Sequence, residues 1–121
     1  MANEIVNIHI ENGILFIFAP NKFKFDLNAA KFITEKRLEL CNGKSYPTLI
    51  DYGENSRYAS LEARKYFTDE GEENISAAAF IACSIATRAF ISSYLMIHKP
   101  GMPAKVFSNR EKAIKWLKQF N

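Results

Sequence analysis

Three short segments of this 121-residue chain gather hydroxyl and guanidinium groups where an apolar run gives way to a helical pattern. They are Asp51-Tyr52-Gly53-Glu54-Asn55-Ser56-Arg57, Cys83-Ser84 with Thr87-Arg88, and Ser108-Asn109-Arg110. A helix start offers unpaired amides and the positive end of the helix dipole, so serine oxygens and anions are stabilised there. An arginine in that position is electrostatically misplaced unless something negative lies close to it. Arg88 is the sharpest case, being the sole Asp, Glu, Lys or Arg between Glu73 and Lys99. The bland reading makes the serines helix caps and pairs the arginines with Asp51, Glu54 or Glu111. The functional reading makes Ser56, Arg57, Ser60, Ser84 and Arg88 a surface for an anion or a docking partner.

Catalytic templates fit poorly. Nucleophilic sets of the Ser-His-Asp or Cys-His kind need a histidine beside the nucleophile. The two histidines fall elsewhere, His9 in an opening hairpin and His98 in a loop at the pole opposite the serines. Two histidines and two scattered cysteines give no zinc spacing, so no metal is expected. There is no Gly-x-Gly-x-x-Gly and no Walker A loop, and no cofactor is implied. Cys41 and Cys83 are expected to be two buried, reduced thiols, since a disulfide framework needs more cysteines. The acidic run Asp69 to Glu73 is expected to be a solvated turn.

The elements that must hold these groups follow from the apolar pattern. Ile5 to Ile10 and Ile14 to Ala19 flank Asn12-Gly13, a strong hairpin signal. Asp26 occupies an N-cap position before a helix over Leu27 to Cys41, and Asn42-Gly43 stops it. A strand over Tyr46 to Asp51 then leads to a helix near Tyr58 to Thr68, with Ala59, Ala63, Tyr66 and Phe67 inward. Ile75 to Cys83 is almost unbroken apolar sequence, the mark of a strand buried on both faces. A helix over Ile85 to Ile97, a strand over Ala104 to Phe107 and a last helix complete the chain. Ser108 and Glu111 form a capping box for that helix, with Ala113, Ile114, Leu117 and Phe120 inward. The predicted order is β-β-α-β-α-β-α-β-α in one α/β domain over 1–121, its later strands parallel because crossover helices join them.

Composition agrees with one well-cored domain. The chain is 48% hydrophobic with 10 Phe, 5 Tyr and 1 Trp, and its five Gly and four Pro exclude collagen-like sequence. A chain of this length buries roughly two-thirds of its unfolded surface. The net charge of +3 is too small a footprint for a nucleic-acid binder. The chain opens with no basic segment of the signal-peptide type, and Ile75 to Ile97 carries Arg88 and five serine or threonine residues. A soluble cytoplasmic protein with no membrane association is the expectation. The helix Ile85 to Ile97 is apolar nearly all round, and a surface helix should keep a polar face. Enclosure, self-association into a homodimer through this third helix, and contact with a lipid-like ligand would each account for it. The last helix is basic, with Arg110, Lys112, Lys115 and Lys118 against Glu111, which reads as a solvated face.

Leu40 through Asp51, Glu62-Ala63-Arg64, Ala77 to Ile81, and Phe107 with Glu111-Lys112-Ala113-Ile114-Lys115-Trp116-Leu117 carry a family resemblance. The chain resembles STAS domains, the class of the bacterial anti-sigma-factor antagonists, and more closely the small STAS-like proteins of Bacteroidota. The resemblance spans most of the chain and implies a STAS-like sandwich that regulates by protein interaction rather than by catalysis. Its partner would be of the kinase or anti-sigma kind. In the antagonists a serine within Asp-Ser-Ser-Gly-Leu, at the start of the helix after the third strand, is phosphorylated. Here that region reads Tyr58-Ala59-Ser60-Leu61-Glu62, with Ser60 the nearest counterpart and Ser56 the next. The aspartate, one serine and the glycine of the motif are missing. The rival expectation is a small anionic or lipophilic ligand held between the sheet and the third helix.

Overall fold

The computed structural model describes residues 6–20, 23–52, 60–69 and 73–120. Five strands form one sheet in the order β1-β2-β3-β4-β5, with β1 Asn7–Glu11, β2 Ile14–Phe18, β3 Tyr46–Asp51, β4 Ile75–Ile81 and β5 Ala104–Phe107. Four helices accompany them: α1 Leu27–Cys41, α2 Leu61–Asp69, α3 Ile85–Ile97 and α4 Arg110–Leu117, the last extended by a 3-10 turn over Lys118–Phe120. The predicted α/β sandwich is what forms.

β1 and β2 pair antiparallel around Asn12-Gly13, whose φ angles of 53° and 79° are the positive values that a tight two-residue hairpin demands. From β2 onward every neighbouring pair is parallel. Strands added one after another in this way require right-handed crossovers, which place α1, α2 and α3 on one face of the sheet. α4 follows the last strand with no return to make, and covers the other face.

Strand alternation divides the core accordingly. Leu15 and Ile17 of β2 pack with Phe23, Phe25, Ala29, Ile33 and Cys41 on the α1 side. Ile14, Phe16, Leu49, Ala77, Ala79 and Ile81 pack with Ala113 and Leu117 on the α4 side. Ala77, Ala79 and Ala113 are fully enclosed, and their small side chains let α4 approach the sheet closely.

One expectation about the core needs correction. Cys41 is buried, but Cys83 is exposed, because β4 ends at Ile81 and Cys83 lies in the junction that leads to α3. The inner face of α1 is centred on Ala29, Ala30, Ile33 and Thr34 and includes Arg37, so a guanidinium is enclosed among mostly apolar groups. Arg37 is 2% exposed and donates to the backbone carbonyl of Glu73, in the turn before β4. Burial pushes its pKa down from the ordinary arginine value, opposed by hydrogen bonding and attraction from Cys41 and by the charge of Glu73.

Candidate functional site

The carboxyl ends of the parallel strands and the N-termini of all four helices meet at one pole, as crossover connections require. Each helix there is capped by a side chain. Asp26 accepts the Ala29 amide at 2.9 Å, Ser60 the Ala63 amide at 3.1 Å, Ser84 the Thr87 amide at 3.3 Å and Asn109 the Lys112 amide at 3.0 Å. The last cap corrects the expected Ser108–Glu111 box. The helix begins at Arg110, one residue later, leaving Asn109 as the final extended residue with φ −148° and ψ 160°.

Of the five expected site residues, Ser60, Ser84 and Arg88 belong to this pole, whereas Ser56 and Arg57 lie outside the described residues, as do Tyr58 and Ala59. Ser60 is joined to the rest of the pole by its backbone. Its amide donates to the Phe25 carbonyl at 2.9 Å, tying the start of α2 to the residue before the α1 cap. The Phe25 ring meets Tyr52 edge-on at 4.9 Å, and Tyr52 stacks on Phe80 at 6.2 Å. The Tyr52 amide then donates to the Ile81 carbonyl at 3.2 Å. A continuous line of contacts thus runs from the Ser60 helix start across the ends of β3 and β4 to the α3 start.

At α3, Arg88 resolves its expected misplacement without a carboxylate. One terminal nitrogen of its guanidinium donates to the carbonyls of Ala82 at 2.8 Å and Cys83 at 2.9 Å. These oxygens lie in the junction between β4 and α3 and carry the partial negative charge that the cation needs. The sequence offered no signal for backbone acceptors. Arg110 does find the expected carboxylate, Asp51, at 2.9 Å, and its guanidinium lies over the Phe18 ring at 4.1 Å from the centroid. Arg110 is more than half exposed, so this pair is worth well under about 1 kcal/mol.

Tyr52 was not singled out from sequence, yet it is the hinge of the contact line. Burial, with a smaller contribution from Tyr94, raises its hydroxyl pKa above the ordinary tyrosine value of 10.0. Cys41 is likewise raised above its ordinary 9.0 by burial, with Arg37 opposing. Both groups stay protonated in the folded chain while their unfolded counterparts ionise, so stability is fully present below pH 9 and declines as pH rises further. Tyr52→Phe is expected to remove the component that sets in near pH 10, which has a limiting slope of about 1.4 kcal/mol per pH unit. Urea midpoints measured from pH 8 to 11 check this, and an unchanged slope in Tyr52→Phe would show that Tyr52 is not the group held protonated.

Of the two histidines, only His98 lies at the far end of the molecule from the pole, for His9 meets Phe18, the ring under Arg110, edge-on at 5.6 Å. His9 stacks on Phe16 at 5.1 Å on the hairpin, and His98 caps the far end of α3 against Tyr94 at 4.4 Å. Among the described residues no three His, Cys, Asp or Glu side chains come together as metal ligands, and no helix is long and apolar enough to cross a membrane.

Comparison with known proteins adds the lineage. No curated protein matches the chain. Among solved structures, the chain is similar to a crystal structure of an uncharacterized protein from the DUF3478 family with a SpoIIAA-like fold, from Shewanella loihica PV-4. The two superpose with a TM-score of 0.67 at 19% identity, over 93% of this chain and 91% of that one. At that identity the likeness speaks for the fold alone, and the five-stranded sheet with its helices has a SpoIIAA-like, STAS-like fold. A family model described as a domain of unknown function matches residues 8–121, from the first strand past the last helix. With that span matched, the chain belongs to the DUF7793 family.

Proposed function

We propose that the chain is a regulatory module of STAS-like type that acts by docking a protein partner, not by catalysis, and that the docking surface is the pole carrying Ser60, Ser84 and Arg88. The observation that carries this reading is the position of Ser60. Its hydroxyl caps α2 and its amide is fixed to Phe25, so a modification there acts on two helix starts at once. A phosphate on Ser60 would bring about −1.5 to −2 charges to the free amides of α2, where they are stabilised. The same charge would repel an acidic partner surface and attract a basic one. A partner of the kinase or anti-sigma kind suits such a switch.

The reading is tested by affinity capture of partners from the source cells with wild type, Ser60→Asp, Ser60→Asn and Arg88→Ala. Asparagine keeps the cap without the charge, so it separates charge from helix stability. Ser60→Asp and Arg88→Ala are expected to reduce retention of a specific partner at least tenfold, and Ser60→Asn to leave it near wild type. Indifference of every retained partner to both changes would eliminate the pole as a docking site. Native mass spectrometry of freshly purified protein addresses the rival reading, because a co-purifying small molecule would favour a ligand-binding role.

A further inference from the structure

α3 departs from enclosure in a particular way. Only Ile91 is buried, and the side that turns outward carries Ile85, Ala86, Ala89, Ser92, Ser93, Met96 and Ile97, all exposed. Ile85 is 78% exposed, Met96 76% and Ile97 75%. Large apolar side chains left this open along one helix face mark a surface that is covered part of the time.

Two properties of the face identify what covers it. The first is charge. No residue on this face is charged, and Arg88, the one charged side chain within α3, is held by the Ala82 and Cys83 carbonyls. An acidic or basic partner gains nothing there, whereas a second uncharged face loses nothing by meeting it. The second is pattern. Ile85, Ala89, Ser92 and Met96 recur at steps of four, three and four, the spacing of a helix-pairing seam. The seam reads large, small, small, large, so it is the same in both directions. Turned end for end about a two-fold axis between Ala89 and Ser92, it sets Ile85 against the partner copy's Met96 and Ala89 against the partner copy's Ser92. Mutual contact of this kind is the signature of an isologous interface. The central small residues let the two backbones approach, and the large residues close each end.

We infer that the outer face of α3 pairs antiparallel with the same face of a second copy of this chain. The available area sets the strength. Half the surface of a 13-residue helix about 20 Å long and 10–12 Å wide is on the order of 400 Å². A standard stable interface takes about 800 Å² per partner, so the pairing is weak and transient, with a dissociation constant of order 100 μM.

Sedimentation of the full chain from about 10 μM to 1 mM, the span over which such a constant is read, tests this. The weight-average mass should climb from 13.8 kDa toward twice that value. Ala89→Arg, an exposed change to a good helix former, should keep the circular dichroism spectrum and weaken dimerisation at least tenfold. In a Cys83→Ser background, a mixture of Ala89→Cys and Ser92→Cys chains should cross-link faster than either chain alone. A wild type that stays monomeric throughout overturns the inference, as does Ala89→Arg dimerising like wild type. Faster cross-linking of Ala89→Cys with itself would overturn the antiparallel arrangement. Binding to phosphatidylcholine vesicles by a chain that remains monomeric would assign the face to lipid instead.

Discussion

Arg37→Ala is expected to lower the stability of the fold by about 3–4 kcal/mol, while Arg37→Met lowers it by about 1–2 kcal/mol. The difference follows from what the side chain does. Arg37 is almost fully enclosed on α1, and its guanidinium reaches the Glu73 carbonyl at the entrance to β4. Alanine removes the aliphatic stem, leaves a cavity and strands a carbonyl that had a charged donor. Methionine keeps the stem in place and escapes the cost of burying a charge, losing chiefly the hydrogen bond. Urea titrations of both variants against wild type measure the gap. Equal losses would show that the bond to Glu73, and not the packing of the stem, is what α1 depends on.

Leu117→Ala should cost about 3 kcal/mol, and it should do so unevenly. Leu117 is fully buried in α4, the one helix seen packing on its side of the sheet among the described residues, against Ile14, Phe16, Leu49 and the β4 alanines. A helix of eight residues has little stability of its own and is held by its packed face. Losing its largest fully buried anchor should therefore loosen α4 before the sheet unfolds. Trp116, the single tryptophan, lies 5.7 Å from the Phe107 ring and 4.9 Å from Phe120, so its fluorescence reports on this docking. In Leu117→Ala the fluorescence transition should precede the circular dichroism transition, whereas the two coincide in wild type. Ile97→Ala, at an exposed position, should change stability by no more than about 0.5 kcal/mol.

Much of this arrangement is written in local sequence, because the groups that decide it are neighbours in the chain. Asp26 before Leu27, Asn42-Gly43 after Cys41, and Asn12-Gly13 between two apolar runs each act within a few residues. Their outcomes, the α1 cap, its left-handed stop and the hairpin, appear as read. Helix α3 and strand β5 also have the boundaries that the apolar pattern predicts. The α4 cap was misread by one residue, since Ser108 and Asn109 are both good caps and local preference does not choose between them.

What the sequence by itself determined about this protein is therefore its alternation of elements, its α/β sheet and the pole to which Ser60, Ser84 and Arg88 go. Apolar periodicity and turn chemistry operate over short separations and need no knowledge of the fold. Only the tertiary structure decided the partners of the charged groups and which apolar surface stays open. Arg37 meets Glu73 across 36 positions, and Arg110 meets Asp51 across 59. Arg88 takes backbone carbonyls, acceptors that every sequence possesses and none advertises. The apolar character of α3 was plain from its residues, but whether its outer side is covered depends on how far the neighbouring elements extend. Beside this sheet they leave Ile85, Met96 and Ile97 uncovered, which turns an ambiguity of composition into a defined surface.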